Sequence, residues 1–255
     1  MTYLWNTFLY APLINALAFL VSVVPGGDIG IAVIILTLIV KTVLFPLSQR
    51  SIESQIKMNL LAPELKKIKD SGASKEDQAK QTFELYKHHK TNPFSGCLLV
   101  LIQIPVIFAL YYVFLKGIDF QGGFLYPFIH TPEHINMLFL GILDISQKHI
   151  VILAILAGVS QYFQAYLMPK PVTSGDSASS FQENFAKNMQ TQMRYVLPLF
   201  VAFIAYSVSG AVALYWITSN IFAIGQQIYA NMKKKSALEA VSKDGPLGNS
   251  FNGRP

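Results

Sequence analysis

The chain has 255 residues, 52% of them hydrophobic and only 13% charged, with a formal net charge of +6 and a mean hydropathy of +0.40. This balance excludes an ordinary soluble domain and predicts an all-α polytopic membrane protein. The lone Cys97 excludes an internal disulfide.

Residues 2–24 carry no charge and are long enough to cross a bilayer, but they lack the basic start of a signal peptide. Tyr3, Asn6, Thr7 and Tyr10 share one helical face, with Leu4, Phe8 and Leu9 elsewhere. That pattern predicts an amphipathic helix on the outer membrane surface rather than a further span. Pro25-Gly26-Gly27-Asp28 then turns the chain, so 1–28 is read as a surface helix and turn.

The first predicted span, 29–49, contains a single charge, Lys41. A cation in mid-bilayer is costly unless it meets water, a counter-ion or a cavity, and the other predicted spans contain no Asp or Glu. Lys41 precedes Gln49 by eight residues, roughly 12 Å along a helix axis, which is beyond the reach of a snorkelling side chain. Lys41 is therefore expected to face a hydrated pocket that receives a negative charge from another molecule. Thr37, one turn earlier on the same face, adds a hydroxyl, and Pro46 is positioned to kink the helix.

Residues 50–92 form the one sizeable polar segment with helical periodicity. Ile52, Ile56, Leu60, Leu65 and Ile68 are spaced as one helix, and Ala79, Phe83 and Tyr86 as another, with a break at Asp70-Ser71-Gly72-Ala73. Ser74 with Asp77 is the expected N-cap of the second helix. Further spans are predicted at 96–116, 149–168, 193–208 and 211–231, the last two joined by Ser209-Gly210. Residues 234–255 are expected to be a disordered tail.

The charges fix an expected orientation. Segments 50–95, 169–194 and 231–255 hold nine, three and five Lys/Arg, whereas 1–28 and 117–147 hold none. Alternating basic loops place the helical hairpin and the C-terminus in the cytoplasm and the 117–147 loop outside. The amides Gln103, Gln161, Gln164 and Asn220, with Thr218, lie at membrane depth and should face the bundle interior. They either tie helices together or, with Lys41, line one hydrophilic groove.

No phosphate-binding loop, nucleophile elbow or buried acid pair is present, and His88-His89 lacks further metal ligands. The expected protein is neither an enzyme nor a metal or cofactor binder. A small transporter or channel is the rival class, although the absence of an internal repeat counts against it. A non-inserting assembly factor would need the same groove.

Asn92-Pro93-Phe94-Ser95-Gly96-Cys97, followed by Leu101-Ile102-Gln103-Ile104-Pro105 and Ala109-Leu110-Tyr111-Tyr112, resembles the second conserved span of the YidC/Oxa/Alb family of membrane protein insertases. Leu214-Tyr215-Trp216-Ile217-Thr218-Ser219-Asn220 resembles that family's last span, and Thr37 through Lys41 to Pro46-Leu47 its first. The resemblance covers about residues 5–233. It implies five helices around a hydrophilic groove open to the cytoplasm and to lipid, lined by Lys41, Thr37, Gln103, Gln161, Gln164, Tyr215, Trp216 and Asn220. Pro46, Asn92, Pro93, Gly96 and Pro105 would be its structural motif residues. It also implies a bacterial plasma (inner) membrane location, nascent membrane proteins as substrates, and the ribosome, targeting machinery, Sec translocon and lipids as partners, with no cofactor. The position of Lys41 is usually arginine in such proteins; lysine keeps the charge but lacks the planar fork for bidentate carboxylate binding.

Overall fold

The computed structural model describes residues 2–89, 91, 95–115, 120, 123–168, 188 and 191–244. Its N-terminal segment comprises α1 (Thr2–Trp5), a π-helical turn (Asn6–Tyr10) and α2 (Ala11–Val23). A second π turn, Gln192–Val196, leads into α8 (Leu197–Ser207). Each π turn runs into a helix with proline in its first two positions, Pro12 and Pro198. Proline has no N–H and its ring crowds the carbonyl four residues back, so a widened preceding turn relieves the clash. In the N-terminal segment this rotates the exposed face. Tyr10, expected on the polar side, is buried with its ring 5.1 Å from that of Phe124, while Phe8 is 70% exposed.

α3 (Ile29–Leu60) is continuous through Pro46. At 32 residues it is about 48 Å long and exceeds the ~30 Å hydrocarbon core of a bilayer. It ends at Leu61, because Pro63 lies in the first turn of α4 (Ala62–Asp70) and cannot continue the ladder. After Gly72, with φ +70°, the Ser74 hydroxyl accepts from the Asp77 N–H at 3.1 Å to open α5 (Lys75–His88), as its sequence suggests. The polar hairpin is thus α4–α5 rather than the whole of 50–92. Residues 50–60 extend α3, burying Ile52 and Ile56 against Ala230.

α6 (Ser95–Leu115), α7 (Val151–Leu167), α8 and α9 (Gly210–Asp244) follow. The final helix runs past the predicted boundary at 231 and into the segment expected to be disordered. Ala237, Leu238, Glu239 and Ala240 are all good helix formers, and no glycine or proline intervenes before Gly245-Pro246. The motif residues Asn92 and Pro93 lie outside the described residues, while Gly96 and Pro105 lie in α6. α3, α7 and α9 start at one end of the molecule, and α6 and α8 finish there. Asn6–Val23 and Ile29–Leu60 are each long and apolar enough to cross a membrane; Gln103–Phe114 and Val151–Leu167 are shorter apolar stretches.

The shared end is closed by the segment 123–150. Strands β1 (Leu138–Phe139) and β2 (Leu143–Asp144) pair antiparallel. Asp28 caps α3 by accepting from Ile31 N–H at 3.1 Å and holds the hairpin by accepting from Leu140 N–H at 2.8 Å. Asn136 donates to the Gly27 carbonyl at 2.9 Å and accepts from Ile29 N–H at 3.1 Å. Gly30 has no room for a side chain, since a Cβ would stand 2.3 Å from the Phe139 ring. On the far side, Gly210 N–H donates to the Gln147 carbonyl and His149 N–H to the Tyr206 carbonyl. Asn15 of α2 joins the same closure through Phe124 and Tyr126.

Apolar side chains face outward along the bundle, among them Val43 of α3, Ile155 and Phe163 of α7, and Leu199 and Phe203 of α8. Beneath the closed end a core of small and aliphatic residues, including Val33, Leu36, Ala109, Val113, Ala213 and Leu214, fills the interior. The chain is therefore a mostly helical membrane protein with an apolar core at one end.

Candidate functional site

Toward the opposite end the helices enclose a cavity of about 300 Å³, room for several water molecules. α3, α6, α7, α8 and α9 all contribute to its wall. Lys41 is the one charged side chain among the described lining residues, and it is half-buried. Its Nζ donates to Gln103 Oε1 at 2.8 Å. Gln103 Nε2 donates in turn to the Tyr215 hydroxyl, and Ser219, one turn on, also bonds Tyr215. A cation is thus held by a neutral amide that is itself oriented by a buried phenol. No carboxylate is among the described residues that line the cavity. The nearby Glu53 is engaged elsewhere, bonded to Gln49 at 3.2 Å and to Lys233 at 3.2 Å. These two hydrogen bonds hold its carboxyl below the usual carboxylate range.

A second chain of amides crosses the cavity from α7. Trp216 Nε1 donates to Gln161 Oε1 at 3.2 Å, and Gln161 Nε2 to Gln164 Oε1 at 3.0 Å. Asn220 lines the cavity and ties α9 to α7 through Ser160 Oγ at 3.1 Å. Gln103, Gln161, Gln164, Tyr215, Trp216 and Asn220 therefore line the same cavity as Lys41. Thr37 does not. It is 1% exposed, lies off the cavity wall, and donates its hydroxyl to the Val33 carbonyl at 2.6 Å. A hydroxyl among aliphatic neighbours satisfies itself on its own helix, one turn back. Pro46 introduces no break in α3.

Several wall residues escape a reading of the sequence by isolated polar groups. Gln226 donates to Ser48 Oγ at 2.8 Å and to the Phe45 carbonyl at 3.3 Å, clasping α9 to α3. Gln55, Ser219 and Gln227 also line the cavity. The available signal is periodicity: Lys41, Ser48 and Gln55 repeat at seven residues on α3, while Trp216, Asn220 and Gln227 keep helical spacing on α9. No group of three or more His, Cys, Asp or Glu able to hold a metal occurs among the described residues.

A mostly helical membrane protein with an amide-lined cavity around one cation is the class that fold and site define. The model of the 60Kd inner membrane protein family matches residues 19–237. A membrane protein insertase YidC of Actinobacillus pleuropneumoniae serotype 3 (strain JL03) is 33% identical over 236 residues, covering 91% of this chain and 39% of that protein. The YidC of Oleidesulfovibrio alaskensis is 33% identical over 229 residues, 89% of this chain and 39% of that protein. The YidC of Histophilus somni (strain 2336) is 32% identical over 245 residues, 94% and 40% respectively. The chain belongs to this YidC/Oxa/Alb family of 60Kd inner membrane proteins. It spans about two fifths of the length of these curated relatives.

Proposed function

We propose that the protein is a non-catalytic membrane protein insertase and chaperone, and that the cavity around Lys41 is a groove receiving hydrophilic tails of nascent membrane proteins. The carrying observation is that the Lys41 ammonium is bonded to the amide of Gln103 and, among the described residues, to no carboxylate. A charge-assisted bond to a substrate carboxylate is stronger than one to a neutral amide, so an acidic tail exchanges favourably for Gln103. Moving a polar tail through about 30 Å of hydrocarbon is prohibitive because its backbone and charges lose water. A hydrated groove halfway through shortens that barrier without nucleotide or cofactor.

In this reading α3, α6, α7, α8 and α9 are five spans, the closed end faces outward, and the groove opens to the cytoplasm of a bacterial inner membrane. The basic loops support that orientation. The substrate's apolar segment passes into lipid along α6 and α8, whose outward residues Phe108, Leu199 and Phe203 are exposed. The N-terminal helix lies on the outer surface. Supporting this, Trp5 packs on Tyr112 near the end of α6, and the other end of the helix leads into the start of α3, so both ends sit at the closed end. The α4–α5 arm receives substrates from the ribosome or targeting machinery, with a Sec translocon as a further partner.

Reconstituted vesicles carrying Lys41→Glu should insert single-span substrates with acidic tails at least about tenfold less well, an effect of ~1.4 kcal/mol or more. Lys41→Arg should insert them as well as or better than the parent. Undiminished insertion by Lys41→Glu would remove the electrostatic role.

A further inference from the structure

The β1–β2 turn has unusual chemistry for its geometry. Leu140 (φ 53°) and Gly141 (φ 72°) both occupy the left-handed region, and Ile142 N–H closes on the Phe139 carbonyl at 3.1 Å. Such positions favour Gly, Asn or Asp, yet the first of the two here is a leucine. Leu140 is 62% and Ile142 84% exposed. Residues 135–147 contain no Lys or Arg and a single acidic side chain, Asp144. Strain and exposure together are unexplained by anything packed inside the protein.

The tip has a fixed level relative to the membrane. It is held to Asp28 through Leu140 N–H at 2.8 Å, and Asn136 pairs with Gly27 and Ile29. Those residues connect Asn6–Val23 to Ile29–Leu60, both long and apolar enough to cross a bilayer. A tight connection between two such helices lies at a membrane boundary, whether the first crosses or lies flat. An uncharged tip anchored there meets the zone between headgroups and acyl chains, where amphipathic anchors bind.

We propose that Leu140 and Ile142 are a lipid anchor, inserted into the interfacial layer of the bilayer beside the start of α3. The inference depends on the chain being a membrane protein and is independent of the insertase reading. With Cys97→Ser removing the only native cysteine, Ile142→Cys can carry an environment-sensitive fluorophore, and Glu133→Cys on the same segment serves as the solvent reference. In phosphatidylcholine–phosphatidylglycerol vesicles, the probe at 142 should emit to the blue of the probe at 133. It should be quenched several-fold more by nitroxide-labelled lipid and several-fold less by aqueous iodide. Equal behaviour of the two probes would overturn the proposal, as would a blue-shifted probe at 142 that nitroxide lipid leaves unquenched, since that marks burial in protein. Leu140→Asn provides a second arm. Asparagine suits the left-handed turn, so melting in detergent should hold or rise while lipid quenching at 142 falls. A lower melting temperature with unchanged lipid quenching would assign the leucine to internal packing and defeat the proposal.

Discussion

The two ends of this bundle solve opposite problems with the same helices. At the closed end the loop is tied to the helices by main-chain and buried side-chain bonds. Asp28, Asn136 and Asn15 act as fixed clasps, and aliphatic residues fill the space beneath. At the other end the same helices carry amides and a lysine inward and leave about 300 Å³ between them. Polar groups at the closed end are committed to one geometry. Those at the open end bond to each other through side chains that can exchange partners. Stability is concentrated where the chain is sealed, and adaptability where it is hollow.

Substitutions can break that contrast. Asp28→Ala removes a helix cap and strands the Leu140 N–H, which should destabilise the fold by about 2–4 kcal/mol, read as a fall in melting temperature in detergent. Gln226→Leu at the open end removes the clasp to Ser48 and Phe45 and should cost about 1 kcal/mol, by the same measurement. Glu53→Gln should cost no more than about 0.5 kcal/mol, because its pair with Lys233 is solvent-exposed. The sign with pH follows from the lowered carboxyl: its small contribution is present above the ordinary carboxylate range and disappears as pH falls through the depressed folded value. Parent and variant melting curves should therefore converge in acid. Lys41→Met should cost nothing, or raise the melting temperature, while insertion of acidic-tailed substrates is lost. Thermal loss there comparable to that of Asp28→Ala would erase the distinction between the two ends.

Much of the frame was legible from residues alone. Apolar run lengths located the helices, Ser74 announced α5, and Lys41 marked the cavity because a charge among aliphatics demands an explanation. The glutamines followed from the same reasoning about burial in an apolar setting. Thr37 was misplaced because spacing reports a helical face and not whether a hydroxyl turns back on its own backbone. The closed end was invisible for a different reason: Asp28 meets Leu140 across more than a hundred residues of chain, and a Leu-Gly turn gives no hairpin signal. The extension of α3 to Leu60 was masked by the charges after Gln49, which mark a membrane edge but do not end a helix.

That extension sets the mechanics of the molecule. From its cap at Asp28 to Leu60 the chain is a single stiff shaft with Lys41 partway along, and the first joint is Leu61, followed by a second at Ser71–Ser74. A force applied to α4–α5 can turn that arm about these joints while Lys41 keeps its place, so displacement of the arm need not disturb the cavity.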